Sequence, residues 1–332
     1  MKAVQFEDYG SPLQVVDCPI PHLQPGQLLI KMTAAAINPL DCNIHKGLFR
    51  HLPFLAPSSH ILGNEGAGHI ADSADEEQTY PVGTPVFFRD AYNLPCGGTW
   101  QEYVVATPSQ VQPIPSHKDL FEAAALRSAY QSAYLSLDLA GFPWDSANDQ
   151  VVFATAVGSG VGNAAIQLAR AYGAQEPVTT AGSTAKAEKA RSLGYSKVID
   201  LTCESLQDGV MRFTNGEGVD VALDVLGGRY ATQALESLKF GKTLVLIGTA
   251  AGTEATIKLG ELIGKRKHIE SLNVQFSPRD KLVSSFKCIL RLWQEDRLHP
   301  LVDRVFPFTE AQEAQRYQME DRPFGKVLLS FE

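Results

Sequence analysis

The middle of the chain alternates short apolar runs with segments in which apolar residues recur at helical spacing. The helical spacing is clearest at Val161, Ala165, Leu168 and Tyr172. Apolar runs of this length predict strands that are buried on both faces of a parallel sheet. The predicted strands are residues 151–153, 178–181, 198–200, 219–225, 243–247 and 269–274. Because helices fit between most of them, the pattern predicts an α/β fold with a doubly wound parallel sheet.

The two ends of the chain show another pattern. Before residue 122, short apolar runs such as 28–37 and 101–106 are interrupted by Pro and Gly, which is typical of a compact β-rich domain. After residue 276 come two helical patterns and two short strand patterns, and we expect this tail to fold back onto the first domain. The predicted domains are therefore residues 1–121 together with 277–332, and residues 122–276.

A glycine-rich turn lies between the first predicted strand of the second domain and the helix that follows it. Three glycines in five residues permit a tight turn and let the backbone approach a phosphate, which the helix N-terminus attracts. The alternative is a plain connector of a parallel sheet, which does not need so many glycines. We therefore expect a dinucleotide pyrophosphate to bind at Gly158, Ser159, Gly160, Val161 and Gly162.

Composition and charge narrow the possible partners. The chain has 332 residues, with 29 Lys and Arg against 37 Asp and Glu and a net charge of −8, which argues against nucleic acid or an anionic membrane as a partner. No apolar stretch has transmembrane length, and Glu7 and Asp8 lie where a signal peptide needs an apolar core. The five scattered cysteines form no C-x-x-C pair and are expected to be reduced thiols. These features predict a cytoplasmic protein.

Landmarks along nearly the whole chain resemble the medium-chain dehydrogenase/reductase superfamily, in its zinc-free branch of quinone oxidoreductases and enoyl reductases. The landmarks are AAAINPLDCNIHKG (34–47), ILGNEGAG (61–68), GGTWQEY (97–103), AAALRSAYQSAY (123–134), KARSLGYSKVID (189–200), VALDVLGG (221–228) and FGKVLLSF (324–331). The resemblance implies a GroES-like β-rich catalytic domain, a Rossmann-type cofactor domain and a homodimer.

The resemblance also bears on zinc. In the zinc alcohol dehydrogenases of this fold, a cysteine ligand falls where this chain has Asn38, and a histidine ligand falls at Asn64. Because an amide is a poor zinc ligand, we expect no metal site. Without a metal to polarise a carbonyl, the simplest chemistry is hydride transfer to an acceptor that is already electron-poor, such as a quinone or an α,β-unsaturated carbonyl.

The choice between NADPH and NADH depends on the end of the strand at 178–181. A site that selects NAD places a carboxylate there to accept hydrogen bonds from the ribose 2′-hydroxyl. This chain instead has Ser183 and Lys186, which could hold a 2′-phosphate, and Tyr195 could add a contact to the same group. The alternative is that Ser183 caps the next helix and Lys186 is a solvated charge. We expect NADPH.

Further roles follow from the resemblance alone. It implies that Asn38 and Asp41 lie beside the nicotinamide ribose, with Asn38 near the reacting centre, and that Ser132 lies near the nicotinamide amide. It also implies a close backbone approach to the cofactor at Gly248. Lys326, at the terminal strand, is implied to make a closing contact to the cofactor. Asn38, which precedes Pro39, could alternatively shape a turn, and Gly248 could simply end a strand.

The segments GNEG and GTW resemble the 2-enoyl thioester reductases, which gives an alternative function. Those enzymes donate a proton from a tyrosine just after the loop glycine, where this chain has Phe49. Tyr92, His45 or His51 could substitute, or Phe49, Tyr92 and Trp100 could form an aromatic wall for a flat acceptor, although core packing explains such aromatics equally well. A third possibility is a redox sensor that binds NADPH with little turnover.

Overall fold

The computed structural model describes residues 1–51, 60–77, 79–89, 91 and 94–332. The chain divides into two compact units, Met1–Arg127 with Pro300–Glu332 and Ser128–His299. The strands are β1 Lys2–Gln5, β2 Gln14–Asp17, β3 Leu28–Ile37, β4 Gly66–Ser73, β5 Pro85–Phe88, β6 Tyr103–Ala106, β7 Val111–Pro113, β8 Val152–Ala154, β9 Val178–Ala181, β10 Val198–Asp200, β11 Val219–Asp224, β12 Leu238–Leu246, β13 His268–Ser271, β14 Val302–Pro307 and β15 Lys326–Ser330. The α-helices are α1 Pro39–His45, α2 Leu120–Ala124, α3 Arg127–Leu139, α4 Gly160–Ala171, α5 Thr184–Ser192, α6 Leu206–Phe213, α7 Arg229–Glu236, α8 Leu259–Gly264, α9 Arg279–Gln294 and α10 Ala311–Arg316.

The second unit contains a six-stranded sheet in the order β10-β9-β8-β11-β12-β13, and every neighbouring pair is parallel. The chain winds outward from β8 in one direction and then returns to continue from β11 in the other. Strands β8, β9 and β10 are buried throughout, as expected in a parallel sheet covered on both faces, although β9 contains two threonines and β10 ends in Asp200. The predicted doubly wound α/β fold is confirmed.

One strand begins earlier than its sequence indicates. The pattern predicted a strand from residue 243, whereas β12 starts at Leu238. The early residues of the strand include Lys239 and Lys242, whose amines lie 2.9 and 3.2 Å from the Asp220 carboxylate, and Phe240, whose side chain is exposed. Ion pairing and exposure leave this part of the strand without the apolar run on which the prediction depended.

The first unit is built around a seven-membered sheet in which β3 is the central strand. The sheet has the order β14-β15-β3-β4-β5-β7, and β6 also pairs with β3. Nine of the ten residues of β3 are buried, and the indole Nε1 of buried Trp100 donates to the Ala36 carbonyl at 3.2 Å. The predicted GroES-like β-rich domain is confirmed.

The division of the chain lies later than the predicted boundaries at 121/122 and 276/277. Helix α9, which we predicted in the β-rich domain, belongs to the second unit. Its face with Phe286, Ile289 and Trp293 is buried, and Gln131 Nε2 of α3 donates to the Leu282 carbonyl at 2.9 Å. An apolar stripe on a helix shows that one face is covered, but it does not show by which domain. No helix of the described residues is long and apolar enough to span a membrane.

Candidate active site

In the first unit, a buried polar cluster begins where β3 ends. Asn38 follows that strand in extended conformation, and Pro39 starts helix α1. The Asn38 backbone N–H donates to Asp41 Oδ2 at 2.8 Å, so the aspartate satisfies a donor at the start of its own helix. Both side chains are buried, with exposed fractions of 5% and 1%. The turn-shaping interpretation of Asn38 therefore describes its backbone, while its amide side chain takes part in the cluster.

Two further side chains reach Asn38 because two neighbouring antiparallel strands of the sheet begin beside it. Strand β15 pairs with β3, with Val327 opposite Ile37, and strand β4 pairs with β3, with Gly66 opposite Ala35. Lys326 Nζ donates to Asn38 Oδ1 and, at 2.8 Å, to Glu65 Oε2. Asn38 Nδ2 donates to the same Glu65 oxygen at 3.2 Å.

Asn64 extends the cluster to Asp41 and to a second cation. Its Nδ2 donates to Asp41 Oδ1 at 3.2 Å, its Oδ1 accepts from Asn38 Nδ2 at 3.4 Å, and its backbone carbonyl accepts from Arg127 Nη2 at 2.9 Å. Burial raises the pKa of Asp41 to about 7, although the Asn38 N–H and the Lys326 charge oppose that shift. The cluster thus contains two carboxyl groups and two cationic side chains, all of which are buried.

The side chains of this cluster do not fit a zinc ion. Asn38 and Asn64 are bound to each other, and Lys326 already supplies a positive charge to Glu65. Zinc sites use thiolate, imidazole and carboxylate ligands, and an ammonium group beside the metal would repel it. Among the residues that the structure describes, no group of three or more His, Cys, Asp or Glu side chains could hold a metal ion.

The second unit contains the predicted glycine turn, between β8 and α4. Ser159 is the N-cap of α4, and its Oγ accepts from the Gly162 N–H at 2.9 Å. A Cβ on Gly162 would lie 2.3 Å from the Thr155 carbonyl oxygen, so the helix can approach the strand this closely only with glycine there.

Within the described part of the chain, the N–H groups of Gly158, Gly160 and Val161 have no hydrogen-bond acceptor. Gly158 lies in the glycine-rich loop before α4, and Gly160 and Val161 are the first two residues of this twelve-residue helix. Unpartnered donors at the positive end of a helix dipole attract an anion. This backbone fits the pyrophosphate of a dinucleotide.

The loops after β8, β11 and β12 are held closely together beside this turn. Thr155 Oγ1 donates to Asp224 Oδ1 at 2.9 Å, and Asp224 Oδ2 accepts from the Gly227 N–H at 2.8 Å. A Cβ on Gly248 would lie 2.7 Å from the Val225 carbonyl oxygen. Gly248 therefore permits close contact between two loops at the carboxyl ends of the strands, which is more than ending a strand. Thr155 and Asp224 were not among the predicted site residues.

Ser183 and Lys186 lie where the sequence analysis expected them, directly after β9. Ser183 caps α5, since its Oγ accepts from the Lys186 backbone N–H at 3.3 Å. A carboxylate lies at the end of the neighbouring strand β10, where Asp200 pairs with Ala181, the last residue of β9. The Asp200 Oδ1 atom accepts from Thr202 N at 3.0 Å and Thr202 Oγ1 at 2.6 Å, and these bonds hold the pKa of Asp200 down to about 2.

Tyr195 and Ser132 have partners inside the second unit. Tyr195 lies before the amino end of β10, whereas Ser183 follows the carboxyl end of the parallel strand β9. The buried Tyr195 hydroxyl accepts from Asn163 Nδ2 at 2.8 Å, and the Arg170 guanidinium lies 4.6 Å from the ring centroid. These contacts hold α4 to the segment before β10. Ser132 Oγ donates to the Ser128 carbonyl one helical turn earlier at 2.8 Å.

The possible proton donors and wall residues of the first unit lie in different surroundings. Phe49 is half-buried and packs against the core, and Trp100 is fully inside it. Buried His45 has its Nε2 atom 2.7 Å from the Ser11 carbonyl oxygen, and His51 is exposed. Tyr92 lies outside the described residues. The core-packing interpretation thus describes Trp100.

Sequence reasoning did not select Glu65 or Arg127 as site residues. A signal for Glu65 was available, because the carboxylate stands alone in the small and apolar segment LGNEGAG. A charged residue in such a segment is expected to be buried with a partner. The identity of that partner depends on the pairing of β15 with β3, which no local pattern shows.

Two family models match the chain. The model of the alcohol dehydrogenase GroES-like domain matches residues 24–116, and the model of the zinc-binding dehydrogenase matches residues 160–292. A zinc-type alcohol dehydrogenase-like protein of Schizosaccharomyces pombe is 29% identical, over 93% of this chain and 92% of its own. The protein named "Probable quinone oxidoreductase" from the same organism is 28% identical, over 96% and 93% of the two chains.

The solved structures agree with these matches. The crystal structure of an NAD-dependent alcohol dehydrogenase is similar to this chain with a TM-score of 0.87 and 28% identity, and the match covers 100% of both chains. The likeness therefore extends over both units. Proteins with this likeness include one named for an alcohol and one named for a quinone, so the comparisons do not choose the acceptor.

Proposed function

Since the chain belongs to the medium-chain dehydrogenase/reductase superfamily, in its quinone oxidoreductase branch, we propose that it is a zinc-independent reductase. It takes hydride from NADPH and gives it to quinones or related electron-poor α,β-unsaturated carbonyl compounds. The observation that carries the proposal is the Lys326 ammonium group, which contacts Asn38 and Glu65 at 2.8 Å or less. The cationic groups of this polar cluster are thus side chains of the protein itself.

This arrangement favours an electron-poor acceptor. An unactivated carbonyl needs strong polarisation before it accepts hydride, and the amides of Asn38 and Asn64 cannot supply a Lewis acid. A quinone or a conjugated carbonyl compound needs less help, because its product anion is delocalised. Binding, orientation and exclusion of water are then the main tasks of the protein.

The choice of NADPH rests on the residues after β9. The segment from Val178 to Lys186 contains no carboxylate that could accept from a ribose 2′-hydroxyl. Ser183 caps α5 through its oxygen lone pair, which leaves its hydroxyl proton available for a phosphate oxygen, and the Lys186 amine supplies positive charge. The similar solved structure is NAD-dependent, so the proposal depends on this chain's own residues.

A 2-enoyl thioester reductase is the second candidate. Such a reaction adds hydride and a proton across a carbon–carbon double bond, so it requires a proton donor of suitable geometry. Phe49 has no acidic proton, and His45 is bound to the Ser11 carbonyl. A redox sensor with little turnover is a third candidate, which the same assay distinguishes.

We also propose that the chain forms a homodimer, works in the cytoplasm and acts on a small molecule. The family resemblance suggests a partner copy, and exposed apolar side chains of the second unit are compatible with an interface. These side chains are Leu259, Ile263 and Phe276, with exposed fractions of 66%, 75% and 68%. All five cysteines are free thiols, as expected in a reducing compartment.

The decisive experiment measures oxidation of the reduced nicotinamide by the purified protein. NADPH and NADH are each offered with an ortho-quinone and, in parallel, with a 2-enoyl thioester. Faster oxidation of NADPH with the quinone supports the proposal. Faster turnover of the thioester selects the second candidate, and tight NADPH binding without turnover on any acceptor selects the sensor.

A further inference from the structure

Two buried lysines of this protein differ in how their ammonium protons are used. Lys267 Nζ donates to the Leu235 carbonyl at 2.8 Å, the Glu236 carbonyl at 2.8 Å and Glu261 Oε1 at 2.9 Å, so all three of its N–H donors have acceptors. Lys326 Nζ has two acceptors, Asn38 Oδ1 and Glu65 Oε2. Within the described residues, its third N–H has none.

An unused donor on a buried ammonium group is costly. The side chain of Lys326 is 8% exposed, so the donor has little access to bulk water. A buried cation keeps its charge only when its donors are satisfied by the protein, by water or by a ligand. Lys267 shows that the fold can satisfy a buried lysine fully where its role is structural. The geometry at Lys326 thus leaves a place for an oxygen atom that the described residues do not provide.

We propose that Lys326 is a catalytic residue, which donates its third N–H to the carbonyl oxygen of the acceptor and transfers that proton as the oxygen becomes negative. The inference rests on the proposed function, since it assigns the proton donor of the same reaction. It places Lys326 at the acceptor, in contrast to the cofactor contact that the family resemblance implied. It also supplies a proton donor where Phe49 cannot.

The acceptor gains two electrons and one hydrogen as hydride from the reduced nicotinamide, whose C4–H bond breaks, and its carbonyl oxygen acquires the negative charge. An N–H bond of Lys326 then breaks and an O–H bond forms, which yields an enol or a hydroquinone and a neutral amine. The amine regains a proton from water. The sum is acceptor, NADPH and H⁺ giving reduced acceptor and NADP⁺.

The surroundings of Lys326 suit this role. Glu65 keeps the amine oriented, and the Asn38 amide, which donates to Glu65 and accepts from Lys326, fixes both partners. A preorganised donor in a water-poor site stabilises a developing oxyanion better than a solvated one does. The alternative is that Lys326 only neutralises Glu65, in which case its removal affects stability and leaves oxyanion binding unchanged.

The first test reads oxyanion binding without turnover. The probe is p-nitrophenol, whose phenolate resembles a reduced acceptor and absorbs visibly, and it is titrated against pH with protein and NADP⁺. We expect bound probe to ionise roughly one to three pH units lower than free probe in the wild type. Lys326→Met should abolish that shift, whereas the control Lys267→Met should retain it. An equal shift in wild type and Lys326→Met overturns the proposal, and so does no shift in either protein.

Loss of Lys326 leaves Glu65 without this cation, so Lys326→Met could unfold. The double variant Glu65→Gln/Lys326→Met removes both charges together and is the second form in which the probe is measured. It should fold, because a neutral pair of similar size replaces a buried ion pair. It should lack the shift as Lys326→Met does, and a retained shift in the double variant contradicts the proposal.

Kinetics separate this inference from the proposed function. With the best quinone or enone, Lys326→Met should lose roughly 10²-fold or more in kcat, while the Kd for NADPH changes less than about threefold. A loss confined to the Kd for NADPH would return Lys326 to the cofactor and overturn the inference. If none of the acceptors supports oxidation of NADPH by the wild type, the proposed function fails. The probe titration still decides the role of Lys326.

Discussion

Thr155 and Asp224 join β8 to β11 at the point from which the chain winds outward in both directions along the sheet. The Thr155 hydroxyl donates to Asp224 Oδ1 and accepts from the Val225 N–H, both at 2.9 Å. Both side chains are fully buried. In sheets of this kind, ligands bind outside the carboxyl ends of the strands at this position. The pair therefore holds together the strand ends beside which we propose that the cofactor binds.

Thr155→Val should test that relationship. The substitution keeps the shape of the side chain but leaves a buried carboxylate oxygen and the Val225 N–H with fewer partners. We expect the free energy of unfolding to fall by about 1–3 kcal/mol, measured by urea denaturation. The control Thr232→Val removes an exposed hydrogen bond to the Thr256 carbonyl and should change stability by less than about 0.5 kcal/mol. Equal losses in the two variants would contradict a special role for Thr155.

Asp41 should make stability depend on pH. Its folded pKa is raised to about 7 by burial, whereas the unfolded value is near 3.8. Its stabilising effect is fully present below the unfolded pKa and is lost as pH rises through the folded pKa, because the unfolded chain releases the proton first. We expect the free energy of unfolding to fall between pH 4 and 7, by an amount on the order of a few kcal/mol.

Matched variants separate this titration from others. Asp41→Asn should flatten the pH dependence between pH 4 and 7, measured by thermal or urea unfolding across that range. Asp200→Asn acts in another window, because the pKa of Asp200 is lowered to about 2 and its stabilisation is lost only as pH falls below about 4. A wild-type slope that survives Asp41→Asn would assign the titration to another group.

Lys186→Ala should distinguish the two nicotinamide cofactors. Loss of a charge-assisted contact to a 2′-phosphate is expected to weaken the binding of NADPH roughly tenfold or more, and the binding of NADH by less than about twofold. Calorimetric titration gives both dissociation constants. Lys189→Ala removes an exposed charge from the same helix and is the matched control. If Lys186→Ala weakened the binding of NADPH and NADH equally, the assignment of Lys186 to the 2′-phosphate would be wrong.

Local sequence pattern is sufficient to predict some elements of the second unit. Strands β9 and β10 have the predicted bounds, because each begins at a valine after a proline or polar residue and ends directly before a bend or turn. The glycine turn was also predictable, since its strand, turn and helix are consecutive in the chain. The start of β12 was not predictable, because Lys239 and Lys242 interrupt the apolar pattern there.

The cluster around Asn38 shows the opposite limit. Asn38 and Asp41 are bound through the start of one short helix, so their proximity follows from spacing. Lys326 and Glu65 are separated by 261 positions and meet because two different strands pair with β3. The role of either charge can be recognised only when the other residue is known to lie beside it. Family resemblance selected Lys326, but the third N–H without an acceptor became visible only with the register of the sheet.

Gly162→Ala should show how much the cofactor site depends on the approach of α4 to β8. The added Cβ would meet backbone carbonyl oxygens of Thr155 and Ala156 at 2.3 and 2.5 Å, so the helix has to move away from the strand. We expect a loss of stability of about 1–3 kcal/mol and weaker binding of NADPH and NADH alike, because the displaced N–H groups serve the pyrophosphate common to both. Gly260→Ala, where an added Cβ meets nothing within 4 Å, is the control and should change neither quantity appreciably. Unchanged binding of both cofactors by a folded Gly162→Ala protein would show that the pyrophosphate does not bind at this turn.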